Sequence, residues 1–186
     1  MEVVLILVTI IIISVIIFYN AIVSASNGTK RAWADVIAYE KLKNDVIPQV
    51  TKIANEYKEF ESSIHSEITQ LRTALSKLNP EKIEPKLLKD VELYSKKLQN
   101  GLNITMENYP ELRASEVVQS LITEISNKQD NVTAAITIFN QAVEYFNNKI
   151  QQFPSSIINN AFNRLDSLEV FSDSDSSNNF EYKPNF

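Results

Sequence analysis

His65 and Glu61 are the two residues of this chain whose types and spacing come closest to a metal site. His65 is the single histidine, and Glu61 lies four residues earlier, so both side chains would share one face of a helix. A protein metal site normally needs at least three protein ligands, and the chain has no cysteine to supply one. We therefore expect no metal ligands and interpret His65 as a solvated surface histidine.

The carboxylates nearby offer little acid–base chemistry. Glu56, Glu59 and Glu61 flank apolar positions of a helical pattern, which a solvated helix face explains better than a catalytic pair. Gly28 and Gly101 are the only glycines, and two isolated glycines cannot form a phosphate-binding loop. Because no nucleophile, base and acid stand together, we expect no catalytic or cofactor-binding residues, no cofactor, no small-molecule substrate and no enzymatic activity.

The composition favours an all-α fold and excludes several classes of function. Low glycine argues against a sandwich or barrel, whose many tight turns need it. The absence of cysteine excludes disulfides. The formal net charge of -5, with lysines interleaved among acids, predicts no nucleic-acid partner, because binding phosphates needs a basic face.

Residues 3–23 form an apolar run without a charged side chain. As a helix this run is about 30 Å long, the thickness of a bilayer core, so it predicts a transmembrane anchor. Thr9, Ser14 and Asn20 interrupt it, but the two hydroxyls can bond back to carbonyls of the same helix. A cleaved signal peptide is the alternative, with residues 21–25 as a small-residue end. The start at Met1 and Glu2 lacks the basic residues that such a peptide carries.

The basic residues near the run predict its orientation. None precedes it, whereas Lys30, Arg31, Lys41 and Lys43 follow it closely. By the positive-inside rule, the N-terminus lies outside the cell and the remainder of the chain is cytoplasmic. We therefore expect a single-pass protein of the cell membrane.

The rest of the chain, about 160 residues, is enough for one domain with its own core. Apolar residues at alternating steps of three and four predict a helix from near Lys30 to Leu78, bent at Pro48. Its stripe comprises Trp33, Val36, Tyr39, Leu42, Val46, Val50, Ile53, Tyr57, Phe60, Ile64, Ile68, Leu71, Leu75 and Leu78. Within this stripe we expect Trp33 to pack in the core.

Two further long helices follow in the pattern. One begins at Pro85 and ends near Gly101; the other begins at Ser115 and continues to Pro154, with its last apolar position at Phe153. The pair Tyr109-Pro110 fixes the start of the longest helix or, alternatively, forms a docking tip. A short helix from Ser155 to about Leu168, capped by Ser155 or Ser156, should come last.

These elements predict an elongated antiparallel bundle of three or four helices standing on a transmembrane helix. We place the anchor in residues 1–26, the bundle in 27–168 and a flexible acidic, Ser-rich tail in 169–186. The anchor should contribute nothing to the core of the bundle. The regular stripes could instead mark a coiled-coil oligomer, although packing against the other stripes of the same chain is simpler.

Several motifs, in this order and spacing, resemble the LemA family. In that family a membrane helix ends in YN and is followed by an AW pair, an LIPN-like segment, an ENYPxLKA signature and a YNxAVxxYNxxI helix. The matching segments here are FYN at 18–20, AW at 32–33, DVIPQV at 45–50, ENYPELRA at 107–114, FNQAV at 139–143 and YFNNKI at 145–150. The arginines that follow the membrane helix in the family are largely missing here, at residues 25–30 and 39–43.

The resemblance implies a bacterial single-pass membrane protein with a long helical bundle and no established biochemical activity. The function we expect is a membrane-anchored scaffold or adaptor that contacts the lipid bilayer and either an unidentified protein partner or further copies of itself. The alternative is a signal-transducing or sensory bundle, which passes a change of packing across the membrane.

Overall fold

A computed structural model describes residues 1–56, 61–110 and 115–172. Its helices are α1 (Glu2–Asn44), α2 (Ile47–Glu56), α3 (Glu61–Lys77), α4 (Pro85–Asn108), α5 (Glu116–Gln151) and α6 (Ser155–Ile158), followed by a π-helical turn at Asn159–Asn163. The described residues contain no strand, so the predicted all-α fold is confirmed. Tyr57 and Phe60 of the predicted stripe, and the predicted tail from residue 173 onward, lie outside the described residues.

Helix α1 runs unbroken from the apolar run into the bundle. We expected a separate helix beginning near Lys30, and that prediction is wrong. Thr29 stabilises the junction, because its hydroxyl lies 3.1 Å from the carbonyl oxygens of both Ala25 and Ala142. Thr9 and Ser14 donate back to Leu5 and Ile10, as predicted. The apolar run and the first part of the bundle are therefore one helix, about 65 Å long.

Pro48 ends α1 instead of bending it. It has no N–H to donate to the carbonyl of Asn44, where α1 stops, and it occupies the first turn of α2. The amide N–H of Asp45 donates to the carbonyl of Leu42, three residues earlier, at 3.4 Å. A new helix begins at Ile47. The predicted bend is thus a break of two residues just before the proline.

Helices α3 and α4 form an antiparallel hairpin. Helix α4 begins at Pro85 as predicted, but it continues past Gly101 to Asn108, so the predicted end near Gly101 is wrong. A Cβ atom at Gly101 would lie 3.1 Å from both Ile64 Cδ1 and Glu67 Oε2 of α3. The glycine therefore serves close packing of α4 on α3 and not helix termination.

The main core lies where the α3–α4 hairpin meets α1 and α5. Trp33 and Phe139 are fully buried, and their ring centroids lie 5.2 Å apart. The indole N–H of Trp33 also donates to the carbonyl of Asn79, 3.0 Å away in the turn between α3 and α4. The predicted core position of Trp33 is confirmed.

The long stripe of α5 is confirmed along most of its length. Its buried members are Val118, Leu121, Val132, Phe139, Val143, Phe146 and Ile150. Phe153 is the exception at 81% exposed, because α5 ends at Gln151 and the chain turns before it.

A second, smaller cluster joins α1 to the end of α5 and to α6. Its buried members are Ile22, Ala25, Phe146, Ile150 and Ile158, with Val15 and Phe18 packed against it. The expectation that residues 3–23 contribute nothing to the core is therefore wrong. The C-terminal part of the apolar run packs on protein.

The last predicted helix is shorter than expected. Helix α6 ends at Ile158, the π-helical turn ends at Asn163, and Arg164 takes a left-handed conformation at φ 51°. Pro154 occupies the N-cap position, which we had assigned to Ser155 or Ser156. The chain then extends along α5, because the Asn159 side chain bonds both the N–H and the carbonyl of Leu165 in place of a further helical turn.

We predict that Phe139→Ala destabilises the folded protein by about 3–5 kcal/mol, through lost burial and the cavity left beside Trp33. The measurement is urea unfolding of the full chain in mild detergent. Ile138→Ala is the matched control, since Ile138 is the preceding residue on the same helix and is 58% exposed. The control should change the free energy of unfolding by no more than about 0.5 kcal/mol. Equal losses in the two variants would contradict this core.

Candidate functional site

A buried ion pair lies between α1 and α5. Glu40 is fully buried and Lys43 is 4% exposed, and the Lys43 Nζ atom lies 2.8 Å from Glu40 Oε2 and 3.1 Å from Oε1. The same ammonium donates to the side-chain oxygen of Gln129 on α5, at 2.9 Å. Its charge is thus compensated on its own helix and bonded across the interface.

Sequence reasoning missed this pair because it read the stripe of α1 one residue out of register. Tyr39 and Leu42, which we had assigned to the core, are 41% and 50% exposed. Glu40 and Lys43 instead take the buried positions that follow Val36 at helical spacing. The signal was present in the i, i+3 spacing of an acid and a base in line with Val36.

A small cavity adjoins this pair. It measures about 30 Å³ and is lined by side chains of α1 to α5, among them Lys43, Val50, Leu71, Ser95 and Gln129. The Ser95 hydroxyl is buried there without a protein hydrogen-bond partner. A cavity of this size takes about one or two water molecules, whereas ligand pockets measure roughly 300–1,000 Å³. Its chemistry therefore suits a bridging water that bonds Ser95.

Glu67 is a second acid at a helix interface. Its Oε2 atom is buried without a hydrogen-bond partner at the contact of α3 with α4. Burial raises the pKa of this carboxyl above its ordinary value of 4.5, and the positive charge of Lys97 partly opposes that rise. Ionisation of Glu67 therefore opposes folding.

Asparagine side chains of α5 hold the extended segment of residues 165–171. Asn140 accepts from the N–H of Phe171 and donates to its carbonyl, both at 2.8 Å. Asn147 does the same with Leu168, at 2.9 Å. The two asparagines stand about 10.5 Å apart along the helix, and three extended residues cover about 10 Å, so the two spacings match. These side chains therefore bind the backbone of their own chain.

An open cleft of about 470 Å³ lies between that segment and the start of α4. Lys86 and Glu169 line it and form an ion pair at 3.4 Å, with side chains 79% and 67% exposed. An exposed pair of this kind contributes little binding or stability. The cleft is a solvated surface feature and holds no buried charge among its described lining residues.

The residues considered for metal binding are only partly described. His65 is half-buried on α3, whereas Glu59 and the side chains of Glu56 and Glu61 lie outside the described part of the molecule. Within the described ranges, no group of three or more histidine and acidic side chains is placed to hold a metal ion. Tyr109 is half-buried between α4 and α5, and residues 111–114 of the adjoining signature are not described.

We predict that Lys43→Met costs about 3–5 kcal/mol of stability at neutral pH, because it leaves the buried Glu40 carboxylate without its counter-charge. Urea unfolding measures the loss. Pairing it with Glu40→Leu should restore most of the stability, since the double variant buries no lone charge. Lys41→Met is the control, because Lys41 is exposed on the same helix. A single variant no worse than this control would contradict the buried pair.

We also predict that Glu67→Gln raises the melting temperature at pH 7. The pKa of Glu67 is raised in the folded state, so its contribution to stability is present at low pH and is lost as pH rises through that pKa. The gain from Gln should therefore vanish below about pH 4, where the carboxyl is protonated in both states. Thermal melts across this pH range test it. Glu144→Gln, at an exposed position of α5, should leave the pH profile unchanged.

Two comparisons with known proteins identify the family of this chain. The model of the LemA family matches residues 32–183, which include Trp33, the buried pair, both asparagines and all of α3 to α6. Protein LemA of Metamycoplasma hominis is 33% identical over 136 residues, a match that covers 72% of this chain and 60% of that relative. The chain thus spans less than two thirds of the length of the relative it matches. The family resemblance seen in the sequence is confirmed, and the chain belongs to the LemA family.

Proposed function

We propose that this protein is a single-pass, membrane-anchored scaffold or adaptor that acts through protein–protein contacts at the membrane and catalyses no reaction. The observation that carries the proposal is the continuity of α1, which joins an apolar run to the core of a helical bundle without a break. A bundle built on such a helix is held close to the bilayer.

The lower part of α1 supports the anchor. By length and composition, it is the one described helix able to cross a membrane, and its most apolar stretch is entirely unburied. The exposed aliphatic side chains of the run are those of Val3, Val4, Leu5, Ile6, Leu7, Val8, Ile10, Ile11, Ile12, Ile13, Ile16 and Ile17. Such a continuous apolar surface is stable in lipid and not in water.

Burial within the bundle favours a retained anchor over a cleaved signal. Ile22 is fully buried and Ala25 is 6% exposed, both in the cluster that includes Phe146 and Ile158. Cleavage after Ala25 would remove these two side chains and expose the apolar residues opposite them. The cluster is therefore consistent with an intact α1.

The polar features of the bundle support a structural and not a catalytic role. Lys43 bonds both Glu40 and Gln129, and Asn140 and Asn147 bond the backbone of the C-terminal segment. Side chains used in this way stabilise one arrangement of the helices. A protein that presents a fixed surface needs this kind of rigidity.

A sensory bundle is the second candidate, and the same continuity of α1 favours it. A helix that crosses the bilayer and then forms one wall of the core would carry a rotation or shift of its membrane part directly to Trp33. The two functions differ in whether the packing of α5 on α1 changes in operation.

We predict that the bundle is cytoplasmic and the N-terminus external, because Lys30, Arg31 and Lys41 are exposed and follow the apolar run. The chain has no cysteine, so single cysteines report topology cleanly. In intact cells a membrane-impermeant maleimide should label Glu2→Cys, but it should label Ile138→Cys only after permeabilisation. Equal labelling of both in detergent is the control. Labelling of Ile138→Cys in intact cells would reverse the orientation.

The scaffold itself predicts contacts in the membrane. A photoreactive residue placed at exposed Leu93, Val117 or Ile138 should give discrete crosslinked products in intact cells. A product of twice the mass of the chain indicates self-association, and another defined mass indicates a partner. Placement at the buried Phe139 is the control and should give none. The absence of products from every exposed face would count against a scaffold.

A further inference from the structure

The chain turns at the membrane end of the bundle through residues 152–163, which we call the membrane corner. It comprises α6 and the π-helical turn, and both pack against α1. Its buried residue Ile158 belongs to the cluster of Ile22, against which Val15 and Phe18 also pack. The corner therefore lies beside the upper part of the apolar run of residues 3–23.

The register of α5 on α1 places the membrane corner at the same level along α1. Lys43 bonds Gln129, and Thr29 contacts the carbonyl of Ala142, so α5 descends along α1 toward its N-terminus. Continued to the end of α5, the same register brings Gln151 level with Asn20. Gln151, where α5 ends, is then about 4.5 Å below Val23, the last residue of the apolar run.

The length of α1 that carries no protein is too short to cross a bilayer by itself. Val15 is the first residue to pack against the second cluster, so the bare part of the run is residues 3–14, about 18 Å of helix. A bilayer core is about 30 Å thick. The run reaches across only if the stretch from Val15 to Ile22 also enters the membrane, and the corner is attached to that stretch.

The outer surface of the corner is suited to that environment. Phe153, Ile157 and Phe162 are 81%, 57% and 61% exposed, although all three are large and apolar. Exposed Gln152 and Asn160 lie among them, a mixture typical of the interface and not of the hydrocarbon centre. Arg164 follows directly and is also exposed, so its side chain can extend to lipid phosphates.

An aromatic residue also stands where the headgroups would be. Tyr145 is 56% exposed one and a half turns before the end of α5, and the Lys149 ammonium lies 5.3 Å from its ring centroid. Tyrosine and lysine are enriched at the level of the headgroups, above an apolar segment. Along α5 and into the corner, a tyrosine is therefore followed by a lysine and then by the exposed apolar side chains.

We propose that the membrane corner is a second membrane-binding element, which inserts Phe153, Ile157 and Phe162 among the acyl chains of the leaflet nearest the bundle. It penetrates about 5–10 Å, in the manner of an interfacial helix. The inference rests on the proposed anchoring by α1. It adds a lipid contact made by the bundle itself. The Asn159 side chain bonds the corner to Leu165, at the start of the extended segment that Asn147 holds on α5.

Depth-dependent fluorescence quenching tests the proposal in the full chain. Single cysteines replace Phe153, Ile157 or Phe162 in the cysteine-free protein, and an environment-sensitive dye is attached to each. The labelled chains are reconstituted in vesicles of phosphatidylcholine and phosphatidylglycerol. A quencher is carried either near the carbonyl end or near the middle of the acyl chain. Ile10→Cys in the anchor and Ile138→Cys on the bundle are the references.

The corner positions should be quenched several-fold more than Ile138→Cys, and most strongly by the shallow quencher, with blue-shifted emission. Ile10→Cys should respond most to the deep quencher. If Ile10→Cys is quenched while all three corner positions behave like Ile138→Cys, the corner is not inserted although the anchor stands. If Ile10→Cys is not quenched, the anchor fails as well. The circular dichroism melt of each variant confirms that it is folded.

Discussion

The antiparallel contact of α5 with α1 positions every other part of the bundle. Trp33 packs on Phe139 at its centre, and the indole of Trp33 bonds the carbonyl of Asn79, which fixes the turn of the α3–α4 hairpin. Toward the N-terminus of α1 the contact continues through Ile22 and Ile150. Burial of apolar surface along this line supplies most of the stability, because each fully buried large side chain contributes about 1.5–3 kcal/mol. The hairpin and the C-terminal segment add to a framework that these two helices establish.

The polar groups at this contact determine its register. An apolar stripe alone allows two helices to slide by a turn at modest cost, since leucine, valine and phenylalanine substitute for one another in a core. A displaced Lys43 would keep its pairing with Glu40 on the same helix but would lose the side-chain oxygen of Gln129. A buried donor left without one partner costs about 1–3 kcal/mol, whereas the aligned pair contributes little net stability. The bond between Lys43 and Gln129 therefore favours one register of α5 on α1, in the way that a single buried polar residue does in a coiled coil.

The sequence predicted the helices wherever a strong stripe and a proline acted together. The start of α4 at Pro85 and the extent of α5 from Ser115 to Gln151 are of this kind. The errors arose where a residue served tertiary packing against its local preference. Gly101 resembles a terminator, but its missing side chain admits α3, a contact between helices that no local pattern records. Glu40 and Lys43 are charged yet buried, because each compensates the other.

The C-terminal segment was beyond sequence reasoning for a related reason. Asn140 and Asn147 are separated by seven residues, which places them on one face of α5, but a helical stripe of polar residues normally indicates a solvated face. Their role depends on the extended segment of residues 165–171, and the sequence of that segment has no periodicity that would predict its position. The expectation of no catalytic residues came from residue types alone and stays a prediction. Among the described polar side chains, those of Lys43, Gln129, Asn140 and Asn147 bond helices and backbone to each other.

Two membrane contacts would constrain the bundle differently from one. A lone helical anchor allows rotation about its axis and tilting, so a scaffold on it presents every face in turn. A corner attached to the same helix and inserted to one side fixes both motions, since any tilt away from that side would draw Phe153 and Phe162 into water. Because α1 continues without a break, the orientation of the corner is passed to Trp33 and the whole core. A bundle held in this way would keep one face directed along the membrane, and a sensory role would require the contact between α5 and α1 to change.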